Sequence, residues 1–421
     1  MPERTARVEV SALGLLAVLY VAMPLIAAAV FFATSTPETR LLHTHIRLVP
    51  AFIALAVILA VLSGLQRTYL QGLLSRAEQV ALALLVAVFL GTALFVAVSP
   101  VDALARGGHR VLVALTGIAL VFLLSQEWRR PDLLSHALIL QPLAHLPLLI
   151  ALYLMYAGSE PAAINWLGGP PGYWHVRIWG MTLAAAAAAA FGLYAGAERR
   201  PHVLAFAVLT LLAAMLAWSG SRGSIVGLLG GILLTVVVFP RRTLSALPVT
   251  AAALLVGGLL SLIPMAPLYP YGLLGGVAET LSAGDLNGAS AGRLGMWRDA
   301  LGLIAERPLF GHGHDQYVLI YEDGPIRATH PHNALVQILI DWGLVGGAAA
   351  LFLLFSLWWR GTARIRAEAA WTKLSGFAVL ATMAGASMFD GVLYHEGPLL
   401  IVAIAYAILF ARPLEPARPS G

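Results

Sequence analysis

Residues 330–359 read HPHNALVQILIDWGLVGGAAALFLLFSLWW, an apolar run that opens on two histidines. About 20 apolar residues, rising 1.5 Å each, cross the hydrocarbon core of a bilayer. The run therefore predicts a membrane-spanning helix. A histidine at a membrane–water boundary can exchange a proton near neutral pH, and helix packing does not require two of them there. His330 and His332 are therefore the first candidates for chemistry.

The composition extends this interpretation to the whole chain of 421 residues. Hydrophobic residues make up 59% of it and charged residues 11%, against roughly 45–50% and ~25% in soluble domains. The fold class predicted is an all-α polytopic membrane protein with about 12 transmembrane helices. Cysteine is absent, which excludes disulfides and thiol chemistry. The predicted spans lie near 11–33, 46–64, 79–98, 109–126, 133–156, 178–196, 202–219, 224–239, 244–263, 333–358, 371–389 and 397–411.

The basic residues predict an orientation, because cytoplasmic loops of membrane proteins carry an excess of arginine and lysine. With the N-terminus inside, 16 of the 26 fall at inner ends, and topology explains them without any nucleic-acid partner. The other 10 lie on the outer side, together with most of the 12 histidines, and need another reason. The inner residues are Arg4, Arg7, Arg67, Arg76, Arg129, Arg130, Arg199, Arg200, Arg241, Arg242, Arg360, Arg364, Arg366, Lys373, Arg412 and Arg418.

The chain divides into four parts: transmembrane helices 1–9 in residues 1–263, a periplasmic segment in 264–332, helices 10–12 in 333–411, and a cytoplasmic tail in 412–421. The periplasmic segment is too long to lack structure of its own. Residues 264–289 suggest irregular structure, and residues 290–306 an amphipathic helix with Ser290 as N-cap. Its stripe of Leu294, Trp297, Leu301 and Ile304 is expected to lie against the membrane domain or the interface.

Two arginines stand out by position. Arg222 lies in the turn Ser219-Gly-Ser-Arg-Gly-Ser224, where Ser221 is a candidate cap, and Arg293 lies in the first turn of the predicted outer helix. The helix dipole disfavours a cation there by ~0.3–1 kcal/mol, so both arginines indicate a bound anion. If these helix starts meet the start of helix 10, they form an anion site beside His332.

Simpler interpretations stay open for each residue. Arg222 and Arg293 also fit arginines that extend to the interface, and each outer histidine fits an interfacial polar residue. His312 and His314 suggest a metal site, but no third ligand is evident, so a flexible turn is favoured.

Four further ionisable residues lie within or beside the predicted spans. Asp341, Asp390, His395 and Glu396 are functional candidates by position, and we expect them around the site rather than in it.

The chain resembles the bacterial O-antigen ligase family, which belongs to a superfamily that also holds O-antigen polymerases and protein O-oligosaccharyltransferases. The resemblance rests on the Arg222 turn, on residues 292–297 with 308–313, and on residues 330–333 followed by 341–346. By motif it covers residues 200–350. These motifs do not separate a ligase from a polymerase.

The resemblance implies transfer of a glycan from undecaprenyl diphosphate to a hydroxyl of lipid A–core at the periplasmic face of the bacterial inner membrane. Arg222 and Arg293 would neutralise the leaving diphosphate, and His332 would take the proton of the attacking hydroxyl in a single inverting displacement. Neither a metal nor a cofactor is expected. The residues assigned to substrate binding are His330, Asn333, Ser221, Arg298 and Trp297.

Two alternatives remain. One is a polymerase or a protein O-oligosaccharyltransferase of the same superfamily; the latter typically carries extra C-terminal bulk, which this sequence does not show after its last apolar run. The other is a transporter of lipid-linked glycan. Transporters show repeat symmetry and polar residues at the membrane midplane, whereas the polar residues here concentrate at one face.

Overall fold

The computed structural model describes residues 11–34, 48–65, 69, 72–127, 130–156, 169–173, 175–263, 272–321 and 329–413. Several predictions fall outside these residues. They concern the start of the periplasmic segment at 264–271, the tail after residue 413, and Arg4, Arg7, Arg67, Arg129 and Arg418.

The described residues form helices and no strand. Each of the twelve predicted runs overlaps a helix, and seven helices are long and apolar enough to cross a membrane. The all-α polytopic membrane fold is therefore confirmed, while the number of twelve spans stays a prediction. The main helices are α1 Ala12–Thr34, α2 Leu48–Leu62, α3 Arg76–Phe95, α4 Pro100–Gln126, α5 Leu133–Leu143, α6 Leu146–Tyr156, α7 Val176–Gly196, α8 His202–Trp218, α9 Arg222–Val238, α10 Leu247–Leu260, α11 Gly272–Ser282, α12 Arg293–Glu306, α13 Ala334–Ala367, α14 Leu374–Ser387 and α15 Glu396–Phe410.

Helix α7 is the centre of the bundle. Its alanine run 184–190 is buried along its whole length, and it contacts α5, α8, α9 and α14. Small side chains let helix backbones approach closely. In lipid, where the hydrophobic effect does not drive helices together, such close packing stabilises their association. Large apolar side chains such as Phe95 and Val203 stay more than four-fifths exposed on outward faces, as lipid-facing residues do.

Helix α13 is broken at Gly343, whose φ of +61° and ψ of −162° leave the helical region. A β-carbon there would lie 2.4 Å from the carbonyl carbon of Leu309, so only glycine fits. The segment 308–313 inserts at the break. The amide of His312 donates to the Ile340 carbonyl, at 2.7 Å, and the amide of Leu344 donates to the Pro308 carbonyl, at 2.8 Å. The motifs 308–313 and 341–346 thus join α12 to the membrane domain.

In the segment that the sequence predicts to be periplasmic, four structural details differ from the prediction. Residues 272–282 form α11, where irregular structure was expected. Helix α12 begins at Arg293, and its N-cap is Gly292 at φ +79°; the Ser290 hydroxyl accepts instead from the Leu294 amide. The inner face of α12 is centred on buried Ala300, while the predicted stripe residues Leu294 and Leu301 are 40% and 60% exposed. The expected flexible turn at 311–314 is buried.

Candidate active site

His332 and Asp390 form the centre of the site. His332 Nδ1 lies 3.1 Å from Asp390 Oδ1, and the His332 side chain is 20% exposed while that of Asp390 is 5% exposed. A carboxylate that holds Nδ1 fixes the ring orientation and leaves Nε2 to act as a base. The pair joins the N-terminus of α13 to the segment between α14 and α15. His332 and Asp390 are 58 residues apart in the chain.

The His332 backbone is in the left-handed region, with φ +51°. A non-glycine residue there costs about 1–3 kcal/mol and persists only where its surroundings hold it. Two neighbours do so. The indole of Trp297, on α12, donates to the Pro331 carbonyl at 2.8 Å. Asn333 caps α13 by accepting from the amides of Leu335 and Val336, and its Nδ2 donates to the Met388 carbonyl.

Asp390 is held as a carboxylate although it is buried. Burial raises its pKa, but the hydrogen bond and charge of His332, the charge of Arg177 and the Gly391 amide together bring the pKa well below its usual range. Gly391 donates to Asp390 Oδ1 at 2.9 Å. A β-carbon at Gly391 would lie 2.1 Å from His330 Nε2, so the close approach of His330 requires glycine here.

His330 lies beneath His332 and is buried. The two ring centroids are 4.0 Å apart and nearly perpendicular, and His330 Nε2 lies 3.2 Å from His395 Nε2. Burial and the charge of His332 hold the pKa of His330 well below 6.5. Burial likewise lowers the pKa of His395 to about 3. Both rings are therefore neutral at physiological pH, and one donates to the other.

Arg293 opens α12 and faces the same cluster. Its Nη1 donates to the Ser290 carbonyl at 3.2 Å, while its Nε is buried and has no partner among the described residues. Burial and the charges of Arg177 and Arg222 lower the pKa of Arg293, and the negative charge of Asp390 raises it by less. Arg293 is half-buried, and a guanidinium whose charge is repelled by Arg177 and Arg222 favours an anion as its ligand.

Arg222 opens α9 and reaches α11. Its Nη1 donates to the Gly276 carbonyl at 2.9 Å and contacts the Thr280 hydroxyl, and its Nη2 lies 3.6 Å from Glu279. Since Glu279 is 62% exposed, this ion pair is weak. Arg222 thus ties the start of α9 to α11 and retains donors for a further ligand.

The other two predicted binding residues occupy different environments. Ser221 is the N-cap residue of α9 but makes no capping hydrogen bond; its buried hydroxyl pairs with that of Ser224 at 2.8 Å. Arg298 is exposed on α12. Ser221 therefore occupies the expected N-cap position, while the capping hydrogen bond expected from its side chain is absent.

The sequence analysis did not assign four residues to the cluster that the structure places there or beside it: Arg177, His175, Asp390 and His395. His175 caps α7 by accepting from the Arg177 amide through Nδ1, at 3.1 Å. Burial and the charge of Arg177 lower its pKa to about 4. All four had a signal. Arg177 and His175 fall on the outer side in the predicted topology, where an arginine runs against the charge rule, and Asp390 and His395 are ionisable residues beside predicted spans.

The cluster also has the spacing of a metal site. One ligand atom each of His330, His332 and Asp390 lies within 4.8 Å of the other two, and two histidines with one carboxylate are a ligand set that zinc accepts. The charge of Arg177, which acts on both His330 and Asp390, disfavours a divalent cation there. Independence from metal stays a prediction.

Asp341 and His314 belong to a separate pair. His314 Nδ1 lies 3.0 Å from Asp341 Oδ2, both side chains are almost fully buried, and the His314 ring stacks on Trp342. His312 lies nearby, with Nε2 2.8 Å from the Leu303 carbonyl. These residues fasten the segment 311–314 to the break in α13, and the described residues offer no third metal ligand beside them.

Comparison with known proteins shows which family part of the chain resembles. Residues 205–351 match the family described as O-antigen ligase, and this range contains Arg222, Arg293, His330 and His332. A protein of Pseudomonas aeruginosa named O-antigen ligase is 34% identical over 138 residues, which cover 33% of this chain and 30% of that protein. The chain thus aligns with less than a third of the relative's length. The resemblance inferred from the motifs is confirmed.

Proposed function

We propose that this chain, whose residues 205–351 match the family described as O-antigen ligase, transfers a glycan from undecaprenyl diphosphate to a hydroxyl of lipid A–core. The observation that carries the proposal is the grouping of Arg177, Arg222 and Arg293 beside the His332–Asp390 pair. A lipid diphosphate needs concentrated positive charge, and the attacking hydroxyl needs a base. Both needs are met within one cluster.

The arginines bind the leaving group. Negative charge grows on the diphosphate oxygen as the bond to the anomeric carbon breaks, and donors placed where charge develops stabilise that transition state. Arg293 is the strongest candidate because its buried Nε is unpartnered. The exposed Glu279 of the Arg222 ion pair is readily replaced by phosphate.

His332 activates the acceptor. Its Nε2 takes the proton of the sugar hydroxyl, whose oxygen forms the new bond to the anomeric carbon while the bond from that carbon to the diphosphate oxygen breaks. The proton ends on His332, beside the carboxylate of Asp390, which stabilises the imidazolium. Undecaprenyl diphosphate leaves, and one displacement inverts the anomeric centre.

The proposed location in the cell follows from the substrates and from the distribution of basic residues. We place the chain in the bacterial inner membrane with the cluster and residues 264–332 at the periplasmic face, helices 1–9 and 10–12 on either side of that segment, and the tail inside. The charge rule supports this orientation.

The acceptor distinguishes a ligase from a polymerase, since both use the same arginines and base. In a strain that lacks this chain, we expect lipopolysaccharide without O-antigen, and long glycan stranded on undecaprenyl diphosphate. Gel analysis of lipopolysaccharide and of lipid-linked glycan measures both. Core that carries a single repeat in the null strain indicates a polymerase instead, and a wild-type complement is the control.

A further inference from the structure

A cavity lies beside the histidine cluster of His330, His332 and His395, and outside the arginine group of Arg177, Arg222 and Arg293. Its volume is about 830 Å³, and its walls come from α1, α2, α4, α5, α7 and α15. His395 lines it and also lies 3.2 Å from His330 Nε2. The cavity thus reaches the cluster, whereas Arg177, Arg222 and Arg293 do not line it.

Charge in this cavity is balanced. Arg106 lies 2.7 Å from Asp315, and His109 Nε2 lies 3.4 Å from Glu396 without hydrogen-bond geometry. Arg110 donates to the Tyr394 carbonyl at 2.5 Å. Two arginines and two carboxylates leave no excess charge for a diphosphate. The arginine group beside Asp390 differs in this respect, since its three arginines outnumber its two carboxylates, Asp390 and the exposed Glu279.

The lining combines polar groups with apolar residues. Donors and acceptors come from Gln141, Tyr173, Tyr394 and His109, and apolar surface comes from residues such as Leu400. Gln141 Nε2 donates to the Tyr173 hydroxyl at 2.9 Å. Sugar hydroxyls both donate and accept, so they fit paired donors and acceptors, and aromatic side chains offer both an apolar body and a polar tip. The apolar walls suit the hydrocarbon of an amphiphile.

We infer that this cavity binds the saccharide head of the lipid acceptor, on the side of the histidine cluster away from the arginines. The inference rests on the proposed function, because a transferase of this kind must hold two amphiphiles at one set of reacting atoms. The charged diphosphate binds at the cationic arginine group, and the hydroxyl-rich acceptor binds in the charge-balanced cavity. Its hydroxyl then approaches the cluster past Tyr394 and His395.

The test fills the cavity and measures the binding of each lipid separately. Gly397 lines the cavity, and a β-carbon there would meet only Ile178, at an ordinary 3.9 Å. In Gly397→Leu we expect the Kd for labelled lipid A–core to rise by about tenfold or more, a loss of ~1.4 kcal/mol. The Kd for undecaprenyl diphosphate should stay within about twofold of wild type.

The matched control is Gly258→Leu, another helical glycine with no atom within 4 Å of an added β-carbon and outside the cavity lining. It should bind both lipids like wild type. If Gly397→Leu does not fold, as judged by thermal unfolding in detergent, Ala105→Phe fills the cavity from α4.

Each outcome of this experiment has a separate meaning. Loss of undecaprenyl diphosphate binding with lipid A–core binding retained overturns the inference and assigns the cavity to the donor. Normal binding of both lipids in the filled variants also overturns it. A wild-type protein that binds neither lipid contradicts the proposed function itself.

Discussion

Replacing Arg293 by alanine is expected to lower glycan transfer by about 10³-fold or more, the range of an arginine that stabilises developing phosphate charge. The fold should survive, because the change removes a half-buried guanidinium whose buried Nε has no partner among the described residues. Transfer to lipid A–core in membranes with matched protein levels measures the effect. Arg307→Ala is the control, since Arg307 is an exposed arginine at the end of the same helix.

Lysine at position 293 should restore little activity. Its ammonium is a point charge and lacks the planar fork that contacts two phosphate oxygens at once. Full activity of Arg293→Lys would mean that charge alone suffices. Full activity of Arg293→Ala would remove the anion site from the account.

The second large effect is expected at His332. His332→Ala should lose about 10²–10⁴-fold in kcat, the usual contribution of a general base, and His330→Ala should lose less because His330 is buried and paired with His395. Steady-state transfer by purified protein measures kcat and KM separately. His136→Ala is the control, because His136 is exposed and pairs with Asp132 on α5, away from the site.

Asp390 is a positioning residue in this account, since it acts through His332. Asp390→Asn should therefore lower kcat, and the double variant with His332→Ala should be no worse than His332→Ala alone. Losses that multiply in the double variant would show that Asp390 contributes independently.

The sequence predicted the local features of the site and missed those that depend on tertiary contact. The motif at 330–333, the two first-turn arginines and the apolar runs are visible because each lies within a few residues. Asp390 lies 58 residues from His332, and no spacing rule connects them. Only the packing of α13 against α14 and α15 brings the carboxylate to the imidazole.

The differences in helix capping have local causes. The left-handed Gly292 is the N-cap of α12, and the Leu294 and Gly295 amides of its first turn donate to Ser290 Oγ and Asn287 Oδ1, so both acceptors lie upstream of the N-cap. At Ser221, the neighbouring Ser224 hydroxyl takes the hydrogen bond that a cap would have used. In both places a side chain three to eight residues away competes with the nearest candidate, which N-cap preference alone does not reveal.

The most direct test of the central claim is an assay of purified protein with lipid-linked glycan and lipid A–core, run with and without EDTA. We expect glycan joined to lipid A–core, release of undecaprenyl diphosphate, and equal rates in both conditions. Loss of transfer in EDTA that a divalent cation restores would contradict it, because His330, His332 and Asp390 would then hold a metal in place of the proposed base.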